Sequence, residues 1–371
     1  MSSPQLQPED ANRYVHQPLD EASKEIRLIG LEFLRDSGDE ASVSPVECTI
    51  KIFDLEHAPP FTALSYVWGP PEPAHEIIVD KKTFRIRENL FNFLCEFRRI
   101  APDTENVSGI LLWIDQISID QTSIAERGHQ VRMMNEIYLS ADYVIAWLGF
   151  GERRVEAKRH AQYGGTEYEA AHDYKRTGDL KFFKVLLYNE YFQRLWVAQE
   201  FVLARRVRIL VKDVWLYDEV KADAELDLAQ LRSESPASAY RMFQRRLQCT
   251  LRDVRLDTLE QTLGHFSTGD CEDPRDRVYG LLGLVGFQRS KIRIDYAKPP
   301  QQVYMDAFLA IISQSTTPVE PDYEKWLERE RLRYSLALNV LSASMGFSKY
   351  IRIAIFAGNM RKNWHVHVVW R

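Results

Sequence analysis

Four cysteines stand among 371 residues, at positions 48, 95, 249 and 271. Their wide spacing gives no Cys-x-x-Cys pair, so neither a structural zinc site nor a disulfide framework is indicated. Net basic charge is missing too. Lys+Arg 48 against Asp+Glu 53 leave a formal charge of -5, and no broad positive field is present to hold nucleic acid or an anionic membrane. Long apolar runs are absent, and none is sufficient to span a bilayer. The first residues, Met-Ser-Ser-Pro-Gln, carry neither the charged nor the apolar region of a signal peptide. The setting expected is therefore reducing, soluble and cytoplasmic. No Gly-x-Ser-x-Gly elbow occurs, and the paired His365 and His367 have no third ligand to make a metal site, so none is expected.

What the chain has in quantity is core material, with 45% hydrophobic and 12% aromatic residues. The densest pattern lies over residues 111–149. Residues 111–119 and 143–148 are apolar runs rich in β-branched and aromatic side chains, as in strands buried on both faces. Between them, Ser123 followed by Glu126 is a capping-box start, and Val131, Met134, Tyr138 and Ala141 share one helical face. Strand, helix, strand in under about forty residues is a βαβ unit and predicts a parallel sheet.

Around this unit, residues 1–24 are polar with three prolines and read as a loose arm. Residues 26–34 and 46–53 predict an antiparallel pair, 61–69 a strand, and 76–80 with 83–87 a hairpin turning at Asp80. Asn89 stands where it would cap a helix whose face is Leu90, Phe93, Leu94 and Phe97. Residues 151–179 lack regular apolar spacing and read as a surface excursion. A helical region leads to Ala204, a strand covers 207–211, and 213–268 reads as polar helices with loops. Asp273 then opens a helix carrying Val278, Leu281, Leu282 and Val285, and a last helix follows Pro300. The Gly280, Gly283 and Gly286 spacing falls inside helix rather than at a strand-to-helix turn, so it reads as close packing, not a phosphate loop.

Four ordered blocks carry a resemblance. They are Ala63-Leu-Ser-Tyr-Val-Trp-Gly69, then Leu112-Trp-Ile-Asp-Gln-Ile-Ser-Ile-Asp-Gln121 with Glu126-Arg127, then Tyr191-Phe-Gln-Arg-Leu-Trp-Val-Ala-Gln-Glu200, and Asp273-Pro-Arg-Asp-Arg-Val-Tyr-Gly-Leu-Leu-Gly283. The chain resembles the fungal heterokaryon incompatibility (HET) domain family over residues 26–312. Ser118 and Asp120 stand where that family usually has Cys and Asn. The resemblance implies an α/β fold with a flavodoxin-like, TIR-like parallel sheet core over residues 61–212, added antiparallel hairpins and C-terminal helices over 213–312. Residues 313–371 then form a tail outside it. It also implies self/non-self recognition and cell-death signalling through protein partners or self-assembly, with NAD as a candidate substrate and no bound cofactor.

In NAD-cleaving TIR domains the catalytic glutamate stands four residues after a tryptophan on the helix that follows the third strand. Glu200, after Trp196, matches that place. Trp68, Gly69 and Asp115 fall near strand ends where ligands of open parallel sheets bind, so with Trp196 they are the candidate ligand contacts. Each has a plain alternative: Glu200 as a surface carboxylate beside Arg194 or Arg205, Asp115 as a turn cap or a partner of Arg127 or Arg132, the tryptophans as core. The rival function is a non-catalytic interaction module that recruits partners.

Overall fold

The computed structural model describes residues 12–33, 44–100, 110–153, 164–216, 236–251, 258–285, 292–313, 352–356 and 365–369. The chain divides into two compact units, residues 1–256 and 257–371.

The first unit is built on one mixed sheet of nine strands. These are β1 (Glu25–Leu31), β2 (Glu47–Asp54), β3 (Phe61–Tyr66), β4 (Ala74–Val79), β5 (Lys82–Arg87), β6 (Leu111–Trp113), β7 (Tyr143–Trp147), β8 (Val207–Val211) and β9 (Val214–Leu216). Their order is β5-β4-β2-β1-β6-β3-β7-β8-β9. The four central strands β6, β3, β7 and β8 are parallel, as their unbroken apolar character predicts. Every residue of β3 is buried. Taken in chain order these strands lie second, first, third, fourth, so the direction of winding reverses beside β3. The antiparallel hairpins are not separate additions. β1 pairs antiparallel with β6, and β2 pairs parallel with β4, which fuses both hairpins into the same sheet.

Helices cover both faces. α1 (Glu88–Ile100) lays Leu90, Phe93, Leu94 and Phe97 against Leu64, Tyr66, Leu112, Ile145 and Trp147. Alternate residues of the strands face the other way, where α3 (Ile124–Ser140) and α6 (Val197–Leu203) lie. Trp113 meets Tyr138 edge to face there, and the Tyr138 hydroxyl donates to the Leu64 carbonyl at 3.1 Å. α4 (Glu167–Thr177), α5 (Leu180–Leu186) and α7 (Ala237–Leu251) complete this unit's helices among the described residues, together with α2 (Asp115–Ser118).

Several expectations shift. The strand over 111–119 stops at Trp113, and the chain turns into α2, because the Ser118 hydroxyl takes the Ile114 amide and the Asp115 carboxylate takes the amide of Gln116. α1 begins at Glu88, so Asn89 lies in its first turn rather than capping it. Its side chain donates to the Val67 carbonyl at 2.5 Å and accepts from the Trp147 indole at 3.0 Å. Part of the supposed excursion is α4, opened by a full capping box of Thr166 and Glu169. Ser123 caps α3, but the Glu126 side chain turns inward instead of back to the cap. The arm, expected loose to residue 24, is anchored from Asn12 onward.

In the second unit, α8 (Leu259–Phe266), α9 (Asp276–Tyr279), α10 (Leu282–Val285) and α11 (Pro300–Ser313) are helical. The single helix expected after Asp273 is broken at Gly280. Three side chains in this region satisfy backbone carbonyls: Arg275 reaches Tyr296 and Lys298, Arg277 reaches Ser267 and Gly269, and the Tyr279 hydroxyl reaches Asp295. β10 (Arg352–Phe356) and β11 (His365–Val369) form an antiparallel pair, and the rest of the expected tail lies outside the described residues. The unit boundary near residue 256 falls within the expected helical extension of 213–312.

Candidate functional site

The carboxyl end of β3 gathers the candidate residues. Beyond Tyr66 the chain runs through Val67 and Trp68 to Gly69, whose φ of +71° is a left-handed conformation that favours glycine. Two groups fix this loop: Asn89 on the Val67 carbonyl, and the Arg87 guanidinium, which donates to the Gly69 carbonyl at 2.6 Å. That guanidinium also lies 4.9 Å from the Trp68 ring centroid, a cation-π contact that holds the half-buried indole. The Trp68 indole N–H then donates to Asp115 Oδ2 at 2.7 Å.

Asp115 follows β6 and opens α2. Its Oδ1 accepts from the Gln116 amide at 2.7 Å, and its carbonyl from the Gln121 side chain at 3.0 Å. Burial pushes its carboxyl pKa up, while the Trp68 bond and the Arg194 charge hold the rise back. The arginine whose charge acts on Asp115 is Arg194. Arg194 donates to the Tyr66 carbonyl, which ties the approach to α6 onto the end of β3.

Glu200 lies on α6, all seven residues of which are buried. At 4% exposure it is not the surface carboxylate of the plain alternative. Ser65, pointing from β3 toward α6, donates its hydroxyl to Glu200 Oε2 at 2.5 Å. Since the Ser65 proton is then committed, the Tyr191 phenol at 2.8 Å is the donor to Ser65 Oγ, giving a short relay from Tyr191 through Ser65 to Glu200. Burial pushes the Glu200 pKa up to about 7, and the Asp115 charge adds to the rise, while Arg194 and the Ser65 bond oppose it. The Tyr191 phenol is raised as well, by burial and then by the Glu200 charge. A carboxyl poised near neutrality is suited to proton transfer or to stabilising a transient cation.

At the other end of α6, Arg246 of α7 donates to the carbonyls of Phe201 at 3.0 Å and Ala204 at 2.5 Å, closing the helix that carries Glu200. Trp196 precedes α6, and its carbonyl accepts the amides of Gln199 and Glu200. The structure therefore assembles Trp68, Gly69, Asp115 and Glu200 with Ser65, Tyr66, Tyr191, Arg194 and Arg87 at one end of the sheet. Ser65, Tyr66, Tyr191 and Arg194 stand inside the sequence blocks quoted above, where they read as strand and helix core. Arg246 stands outside them, and no spacing in the sequence marks it. Among the described residues no group of three or more His, Cys, Asp or Glu is placed to hold a metal ion, and no helix is long and apolar enough to cross a membrane.

Comparison with known proteins bears on this arrangement. Residues 61–200, from the start of β3 to Glu200, match the family "Heterokaryon incompatibility protein (HET)". The chain is 27% identical to "Heterokaryon incompatibility protein 6, OR allele" of Neurospora crassa over 370 residues, covering 80% of this chain and 53% of that protein. It thus spans about half the length of the curated relative it matches. No solved structure matches the chain.

Proposed function

We propose for this chain, whose residues 61–200 match the heterokaryon incompatibility (HET) family, a role in fungal self/non-self recognition, exercised by a flavodoxin-like, TIR-like core that cleaves NAD at Glu200. The second, first, third, fourth order of the central parallel strands supports the flavodoxin-like reading, since that order is the one used by such sheets. The same rule puts ligands beyond the carboxyl ends of the strands, where the winding reverses.

The observation that carries the proposal is Glu200 itself: a buried carboxyl at the end of β3, raised to about 7, with a second carboxylate, Asp115, in electrostatic reach. In NAD the bond between ribose C1′ and the nicotinamide nitrogen breaks, and its electron pair leaves with neutral nicotinamide. The ribose left behind is oxocarbenium-like, and an ionised Glu200 stabilises that charge. Water then adds to C1′ and gives up a proton, for which a carboxylate with this pKa is a suitable acceptor. Ser65 and Tyr191 hold Glu200 in place, and Trp68, clamped by Arg87 and Asp115, presents an indole edge beside the same strand end.

The test is to incubate the purified chain with NAD at high protein concentration and follow nicotinamide and ADP-ribose. The parent is expected to release both, and Glu200→Gln to fall by on the order of a hundredfold, the worth of one well-placed electrostatic group. The second reading, an interaction module that recruits protein partners, draws on the 4% exposure of Glu200, which makes it equally a buried acceptor for Ser65. Absence of any NAD turnover, with cell-death activity retained by Glu200→Gln, would establish that reading instead.

A further inference from the structure

α2 is a single turn, Asp115–Ser118, closed by the amides of Ile117, Ser118 and Ile119, and so short a helix is not stable alone. Its two last carbonyls are held from outside. His16 Nε2 lies 2.7 Å from the Ile117 carbonyl, and Arg27 Nη1 donates to the Ser118 carbonyl at 2.9 Å. Because a carbonyl can only accept, the His16 proton sits on Nε2. Arg27, on β1 and fully buried, also donates to the Gln17 carbonyl and pairs with Glu126 of α3, whose carboxylate in turn takes the Asp120 amide at 2.7 Å.

His16 is itself presented by a strap. Asn12 accepts from the Thr83 hydroxyl at 3.2 Å, the Tyr14 amide donates to the Thr83 carbonyl at 2.8 Å, and Arg13 bridges Thr83 in parallel at the outer edge of the sheet. The rings of Tyr14, His16 and Phe84 meet edge to face with centroids 5.2 to 6.0 Å apart. The groups facing His16 are thus Tyr14 beside it, Phe84 on β5, Arg27 on β1, Asp120 after α2 and Glu126 on α3. All of this lies upstream of, or reaches in from outside, the carboxyl-end cluster that the turn delivers.

We infer that His16 is a positioning residue for Asp115: through the Ile117 carbonyl it fixes the α2 turn whose first side chain receives the Trp68 indole. This rests on the reading of Asp115 as a site residue. A segment about a hundred residues upstream thereby sets the geometry at the end of β3.

The experiment reads the indole N–H of Trp68 by nitrogen-15 NMR in the full chain, assigned by its loss in Trp68→Phe. In His16→Leu, with a cooperative thermal transition retained, solvent exchange of that N–H is expected to quicken about tenfold, the worth of one hydrogen bond. His16→Gln, which keeps an N–H donor of similar reach, is expected to restore the parent rate. Should His16→Leu not fold, Tyr14→Ala loosens the strap without touching the imidazole, and the same quickening is expected. An unchanged exchange rate in whichever of these two variants folds, or a His16→Gln protein no slower than His16→Leu, overturns the inference. The readout needs no turnover, so failure of the NAD reading leaves it standing, whereas NAD cleavage that survives a quickened indole would detach Asp115 from catalysis.

Discussion

Glu126 and Glu200 are both nearly inaccessible to solvent, 6% and 4% exposed, but Glu200 lies deeper among protein atoms, and the two regions treat a carboxyl in opposite ways. At Glu126 burial alone would raise the pKa, but Arg27, bonded at 2.5 and 3.0 Å, and the Asp120 amide outweigh it and hold the group below its ordinary value. At Glu200 burial wins, because Arg194 spends its hydrogen bond on the Tyr66 carbonyl and Asp115 adds a like charge. The first carboxylate is held toward its ionised form and joins three segments. The second is poised near neutrality. Low exposure by itself does not decide the charge; depth in the fold and the placement of the counter-charge decide it together.

The largest test of this contrast is Glu126→Ala. It leaves the fully buried Arg27 without its carboxylate, and a loss of about 3 to 5 kcal/mol is expected from urea unfolding. A loss below about 1 kcal/mol would mean that Arg27 finds another partner and that the two carboxylates are more alike than their surroundings suggest.

Next comes the stability of Glu200→Gln. A carboxyl raised from 4.5 to about 7 on folding contributes stability that is present below pH 4.5 and is lost as pH rises through about 7. Gln cannot ionise, so the variant is expected to gain on the parent as pH rises. The gap between the two should open by on the order of 3 kcal/mol from pH 4 to pH 8. A gap that stays constant with pH would show that Glu200 titrates normally.

Ser123→Ala removes the hydroxyl that accepts the Glu126 amide at 3.2 Å, and about 1 kcal/mol should be lost in thermal unfolding. A much larger loss would indicate that the cap also steers Glu126 toward Arg27. The smallest effect belongs to Asp115→Asn. It keeps an acceptor for the Trp68 indole and removes a charge that raises Glu200, so the Glu200 titration, followed by carbon-13 NMR, should move down by less than about one unit. An unmoved midpoint would uncouple the two carboxyls.

Much of the fold was legible because it rests on local signals. The apolar β3, β7 and β8 runs, the Ser123 cap and the Asp80 turn, with positive φ at Asp80 and Lys81, follow from periodicity and turn chemistry. The misreadings fall where a side chain is claimed by something remote in sequence. Asn89 looks like a cap but answers the Val67 carbonyl and the Trp147 indole. Glu126 looks like the far half of a capping box but is taken by Arg27, 99 residues away. Residues 115–118 look like strand because Ile117 and Ile119 continue the apolar pattern, whereas Ser118 accepts the Ile114 amide behind it and Asp115 the Gln116 amide ahead of it, and the chain turns. α4 went unread because its helix is set by Thr166 and Gly178 rather than by an apolar stripe.

Order and spacing of residues alone specify the central parallel sheet, the helices that join its strands and the glutamate four residues beyond Trp196. Folding adds what no spacing carries: Glu200 buried on Ser65 with Tyr191 behind it, Trp68 locked onto Asp115, and His16, Arg27 and Arg246 bracing those elements. The reason is physical. A carboxyl's charge state depends on which donors and charges the fold brings within a few ångströms, and those here come from segments separated by up to 135 residues of chain.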